Sequence, residues 1–217
     1  MITTVIFDLD GLLADTERLH CRAYQLALLE HNVQLAEADY GEHWVRRGKG
    51  IDDWLARQGV DLDPVGLRAR KAEHYQVLLG SSLRPMAGAT SLLARLKGTL
   101  HIGLASSSYR DAVDGVLHGL GIAHYFETVV SGSEVARVKP APDIFLTAAN
   151  RLGVVPAQCA VLEDAEKGVL AAQAAGMPCV AVPNGYTRDH DFSQATLVLL
   201  SLHEVTTELL RNLGTET

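Results

Sequence analysis

Residues 2–11 read Ile-Thr-Thr-Val-Ile-Phe-Asp-Leu-Asp-Gly. Residues 2–7 are a short apolar, β-branched run without clean alternation, the pattern of a strand buried on both faces of a parallel sheet. The run stops on Asp8-Leu9-Asp10-Gly11. Similar runs recur at residues 101–105, 128–130, 160–162, 179–182 and 197–200, separated by helical patterns at 87–96, 110–117, 142–152 and 168–175. Strands alternating with helices of about ten residues predict an α/β fold built on a doubly wound parallel sheet. Gly176 and Pro178 are the stop signal of the last of those helices.

One segment breaks the alternation. Residues 15–84 show only amphipathic helical patterns, with Leu19, Ala23, Leu26 and Ala27 on one face of the first and further helices around Trp54-Leu55, Leu67 and residues 75–79. A helical block inserted after the first strand predicts a small cap domain over 15–84, with an α/β core formed by 1–14 and 85–217. The sequence shows no internal repeat and no low-complexity tract.

Composition narrows the class. The chain has 217 residues, enough for a sizeable core, with 47% hydrophobic and 21% charged residues, as expected of a globular protein. A net charge of −7 argues against a general nucleic-acid binder, whose affinity rests on clustered Lys and Arg. Cys21, Cys159 and Cys179 have no metal-binding spacing and read as small buried hydrophobes. No apolar stretch is long enough for a membrane span, and the first residues do not read as a signal peptide, so a reduced cytoplasm is the expected location and no membrane partner is expected.

Asp8 and Asp10 are two apart in an extended stretch, so both side chains can leave the same side of the backbone, at the carboxyl end of a strand where open α/β sheets bind ligands. Asp-x-Asp alone is equally compatible with turn and cap roles. Glu163-Asp164 ends another apolar run, and hard oxygens from two strand ends suit Mg²⁺; capping of the following helix is the plainer use of that pair. Ser106-Ser107-Ser108 follow a third strand, where hydroxyls and backbone N–H groups could hold phosphate oxygens. Lys139 stands between Val138 and Pro140-Ala141-Pro142, just before a helix.

These four elements, in this order, resemble the haloacid dehalogenase-like (HAD) superfamily. The stretches 139–145 and 162–168 look especially like the branch of β-phosphoglucomutase and the sugar-phosphate phosphatases. The resemblance covers essentially the whole chain and implies a Rossmann-like core with an inserted helical cap. It implies that Asp8 attacks phosphorus to form an aspartyl-phosphate, and that Asp10 protonates the leaving alkoxide and later deprotonates the attacking water. Mg²⁺ would be held by Asp8, the backbone carbonyl of Asp10 and Asp164, with Glu163 as an outer-sphere or alternate ligand. Ser106, with Ser107, and Lys139 would orient the transferred phosphoryl group and offset its charge.

Asp10 argues against dehalogenation, because the dehalogenases of the superfamily lack that acid/base carboxylate. Phosphonate hydrolysis would need a Schiff-base lysine from the cap, and neither Lys49 nor Lys71 stands in such a motif. The β-phosphoglucomutases carry a Lys-Gly-x-Ser-Arg cap loop whose Arg grips the second phosphate. Here Arg47-Gly48-Lys49-Gly50-Ile51 stands in its place, with Ile51 where the Arg would be. This favours a phosphatase over a mutase, which stays open because Arg46, Arg47 or Lys49 could substitute for that Arg; Arg47 and Lys49 are candidate substrate contacts. His20 matches a position occupied by His in both groups and is a candidate substrate contact; Asp15 and Thr16 fall at the expected hinge. The expected partner is a small phosphorylated metabolite, and the expected state a monomer or homodimer. A phosphate-binding module without turnover is a third reading, disfavoured by the full catalytic set.

Overall fold

The computed structural model describes residues 1–213. The chain divides into two compact units, one formed by Met1–Asp15 with Arg84–Thr217 and the other by Thr16–Leu83; residues 214–217 lie outside the described part.

The first unit is a six-stranded parallel sheet. Its strands are β1 (Thr4–Phe7), β2 (His101–Ser106), β3 (Thr128–Ser131), β4 (Cys159–Glu163), β5 (Cys179–Ala181) and β6 (Leu197–Val198), in the order β3-β2-β1-β4-β5-β6. β1, β4 and β5 are buried along their whole length, which is why their sequences run apolar without alternation. β6 is shorter than the run 197–200, and Leu200 is exposed: an edge strand has a neighbour on one side only. The helices are α5 (Ala89–Leu96), α6 (Arg110–Gly119), α7 (Asp143–Arg151), α8 (Glu166–Ala174) and α9 (Thr207–Asn212), numbered after four in the other unit. α7 and α8 cover one face through Ile144, Phe145, Val169 and Ala172, which pack with Ile6, Val130 and Val161. After β3 the chain crosses to the far side of β1 to lay down β4. That reversal puts the switch point of the sheet beside β1, and doubly wound sheets take ligands at the carboxyl end of such a point.

The Thr16–Leu83 unit is helical: α1 (Thr16–Leu29), α2 (Glu37–Tyr40) running into a π-helical stretch (Gly41–Arg46), α3 (Ile51–Gln58) and α4 (Pro64–Ser82). Leu19 and Ala23 of α1 pack with Tyr75, Leu78 and Leu79 of α4. Asp63 caps α4 by accepting from the Val65 and Gly66 amides at 2.9 Å, with Pro64 in the first turn. Tyr24, Tyr40, Trp44 and Trp54 form a contiguous aromatic cluster.

In the sheet unit, the segments that leave and re-enter the sheet run side by side. Ala14 bridges Pro85 antiparallel, Met86 donates to the Leu13 carbonyl at 2.9 Å, and Arg84 pairs with Asp15 at 2.8 Å. All three cysteines are buried. No described helix is long and apolar enough to cross a membrane.

Candidate active site

β1 ends at Phe7 between β2 and β4, so Asp8 emerges at the centre of the carboxyl edge. Its side chain meets Lys139, whose Nζ donates to Asp8 Oδ1 at 2.5 Å, to Glu163 Oε1 at 2.7 Å and to the Ala105 carbonyl at 2.8 Å. Lys139 is 5% exposed and lies over the Phe145 ring at 4.8 Å. An ammonium has three protons, and here all three have acceptors. Burial works against its charge, but the Asp8 and Glu163 carboxylates more than reverse this and hold the Lys139 pKa above its ordinary value.

Asp8 is pulled both ways. Burial raises its pKa, Lys139 opposes, and the Glu163 and Asp10 carboxylates add to the rise, leaving it at about 7.

Glu163 and Asp164 are adjacent in sequence but are held differently. Glu163 accepts from Lys139 through Oε1 and from the Asp164 and Ala165 amides through Oε2, at 3.0 and 3.1 Å. A Cβ on Gly168 would lie 1.8 Å from that carboxyl group, so only glycine lets α8 pass so close. Asp164 Oδ2 accepts from Asn184 Nδ2 at 2.8 Å. Neither residue caps α8: the N-cap position is Ala165, with no side-chain cap bond. Asp8, Glu163 and Asp164 each bring a carboxylate oxygen within 4.8 Å of the others.

Asp10 accepts from the Ser106 hydroxyl at 3.0 Å and the Ser108 hydroxyl at 2.8 Å, and Ser106 Oγ accepts from the Ser108 amide at 3.1 Å. Ser106 and Ser108 thus hold Asp10 in place. Ser107 Oγ is buried without a hydrogen-bond partner among the described residues.

The donor set fits a divalent cation. Asp8, Glu163 and Asp164 converge with one buried ammonium, an excess of anionic oxygen that a hard cation would offset.

The remaining candidates belong to the helical unit. Lys71 Nζ lies 2.7 Å from His20 Nδ1, 5.3 Å from the Tyr24 ring centre and 4.8 Å from that of Tyr75, while His20 stacks on Tyr75 at 4.1 Å. A charged Lys71 can only donate, so His20 Nδ1 accepts. Burial lowers the Lys71 pKa to about 8 against the opposing pull of Glu17. Arg47 and Arg46 both pair with Glu42, at 2.8 and 3.3 Å. Lys49 is exposed, its amide donating to the His43 carbonyl at 3.0 Å. His43 Nε2 in turn sits 3.1 Å from the Gly50 carbonyl, tying down the loop.

Sequence reading missed Ser108, Asn184 and Lys71 as partners of Asp10, Asp164 and His20. Ser108 had a signal, being the third hydroxyl of its run; the other two stand in no motif.

These features define an α/β protein with an acidic site at the carboxyl edge of its sheet. The family model of the haloacid dehalogenase-like hydrolases matches residues 2–176. The chain is 36% identical to the fructose-1-phosphate phosphatase YqaB of Escherichia coli, over 82% of this chain and 95% of that one. It is also 36% identical to the β-phosphoglucomutase of Bacillus subtilis, over 95% and 92%. The crystal structure of CbbY from Rhodobacter sphaeroides in complex with phosphate superposes with a TM-score of 0.78 at 28% identity, covering 94% of this chain and 96% of that one. The chain belongs to the haloacid dehalogenase-like hydrolases.

Proposed function

We propose that the protein hydrolyses a small sugar-phosphate monoester with a divalent cation, Mg²⁺, through covalent attack by Asp8 on phosphorus. The observation that carries the reading is the Lys139 ammonium lodged between Asp8 and Glu163, beside Asp164, at the carboxyl end of β1. Bound there by Asp8, the Asp10 carbonyl and Asp164, the cation would supply positive charge that favours ionised Asp8 and offsets charge on the phosphoryl oxygens. Glu163, with both oxygens engaged, anchors Lys139 and stays outside the inner shell.

In this reading Asp8 Oδ attacks phosphorus, the ester oxygen departs with a proton from Asp10, and Asp10 then takes a proton from the water that hydrolyses the aspartyl-phosphate. Ser106 and Ser108, which hold Asp10 here, set its direction; Ser106 and Ser107 with Lys139 bind the phosphoryl group. The helical unit acts as a cap, with Arg47, Lys49 and His20 as its substrate contacts. We place the enzyme in the cytoplasm, in keeping with its buried thiols.

Release of inorganic phosphate across a panel of sugar phosphates, with and without Mg²⁺, tests the reading. Turnover unaffected by chelator would sink the metal assignment. The likeness to β-phosphoglucomutase supports a second reading, in which β-glucose 1-phosphate becomes glucose 6-phosphate with little free phosphate. Ile51, buried in the position of that group's phosphate-gripping Arg, weighs against it.

A further inference from the structure

Asn184 belongs to none of the four motifs, yet its side chain ties the site together. Nδ2 donates to the Gly11 carbonyl at 3.0 Å and to Asp164 Oδ2 at 2.8 Å, while Oδ1 accepts from the Tyr186 amide at 2.8 Å. Two acceptors on one side and an N–H on the other allow a single orientation of the amide. The loop around it is closed on itself. The Asn184 amide donates to Thr187 Oγ1 at 3.0 Å, and the Thr187 and Arg188 amides return to the Asn184 carbonyl at 3.2 and 3.0 Å. Thr187 is buried.

The turn after β1 is shaped to receive this contact. Gly11 has φ 84°, and a Cβ there would stand 2.4 Å from Asp164 Oδ2 and 2.7 Å from Asn184 Nδ2. The chain following β1, β4 and β5 therefore meets at one amide group.

We infer that Asn184 is a positioning residue for the divalent cation, acting by fixing the plane of the Asp164 carboxylate relative to the β1 turn. The inference rests on Asp164 being a cation ligand, as proposed above. A neutral donor suits this role, because it orients the carboxylate without lowering the negative charge that attracts the cation, as Lys or Arg would. Asn184 touches neither substrate nor reacting atoms in this role.

The test is calorimetric titration of the full chain with MgCl2, without substrate. Asn184→Ala is expected to weaken Mg²⁺ binding about 10- to 100-fold, the usual cost of removing an outer-shell partner of a ligand. Asn184→Leu, close to Asn in size, gives the same readout where the smaller residue leaves the loop unfolded. Thr187→Val removes the loop's internal bond to the Asn184 amide and leaves the Asp164 contact, and is expected to bind Mg²⁺ within about threefold of the parent. Unfolding midpoints in EDTA for the three variants separate loop collapse from loss of orientation.

Asn184 variants that bind as tightly as the parent would overturn the inference while leaving the cation reading standing. Equal weakening in Thr187→Val would also overturn it, reducing Asn184 to loop structure. A parent protein that binds neither Mg²⁺ nor Mn²⁺ would remove both the cation reading and this inference.

Discussion

The acidic site of the sheet unit and the stretch 42–47 of the helical unit hold their charges in opposite ways. In the sheet unit Lys139 is enclosed between Asp8 and Glu163, all three buried. In the helical unit Arg46 and Arg47 share Glu42 at the surface. The same kind of pair carries different weight in the two settings. Removing one partner of a buried pair strands a charge and costs about 3–5 kcal/mol, whereas an exposed pair is worth about 0.2–1 kcal/mol. We read the difference as a division of labour, with the chemistry fixed in the sheet unit and the choice of substrate left to replaceable groups on the helical one.

The largest effect is expected at the nucleophile. Asp8→Asn keeps the shape of the side chain but cannot form the acyl phosphate, and phosphate release should fall on the order of 10⁴-fold or more. A stopped assay with purified variant and Mg²⁺ reads this; retention of full turnover ends the nucleophile assignment.

Lys139→Met comes next. It leaves Asp8 and Glu163 facing each other without the ammonium, and urea unfolding at pH 8 should show a loss of about 3–5 kcal/mol. The loss should shrink at pH 5, where Asp8 takes up a proton. A variant as stable as the parent would erase the contrast between the two units.

The pH dependence of the parent sharpens the same point. The Asp8 pKa of about 7 lies above its ordinary 3.8, so between those values the folded state binds the extra proton. This contribution is complete below about pH 4 and is lost as pH rises through 7, at most about 4 kcal/mol. Unfolding followed from pH 5 to 8 without metal should therefore show stability falling through this group, and Asp8→Asn should flatten that part of the slope. Surface pairs such as Arg47–Glu42 add nothing to this window, because Glu42, its pKa lowered mainly by the hydrogen bond from Arg47, is already ionised throughout it.

How much of this was readable beforehand follows the same divide. The sheet and its order of elements were legible because a strand buried on both faces writes an apolar run, and three of the six runs ended on candidate site residues: Asp8-Leu9-Asp10, Ser106, Glu163-Asp164. Lys139 stood out by its prolines. What the linear chain could not express were partnerships across it. Asn184 reaches Gly11 over 173 positions, and Lys71 reaches His20 over 51. The resemblance set Glu163 apart as an outer-sphere or alternate ligand, but the backbone amides and Lys139 that occupy its oxygens become visible only in three dimensions. The π-helical turn at Gly41–Arg46 and the His43 contact that shape the cap loop had no periodic signature.

Ile51 shows the limit of reading that loop by position alone. By the resemblance it stands where the mutases would carry an Arg, but it is 1% exposed and opens α3, so its side chain is buried. Ile51→Arg should cost roughly 2–4 kcal/mol in urea unfolding, through a buried charge without a partner, and should yield no conversion of β-glucose 1-phosphate. A stable variant with mutase activity would mean that the loop rearranges freely, and the helical unit would then be more permissive than the comparison holds.

The smallest effect on stability is expected at Arg47, and there function separates from folding. Its pair with Glu42 is exposed on both sides, 46% and 43%, so Arg47→Ala should change unfolding free energy by less than about 1 kcal/mol. If the loop takes the substrate, KM should rise while kcat holds, because an interaction made equally with the ground state and the transition state is what such a residue supplies. An equal fall in kcat and kcat/KM would instead give Arg47 a role in the transition state and move part of the chemistry onto the helical unit. Unchanged kinetics would remove it from the site, leaving substrate choice to Lys49 and His20.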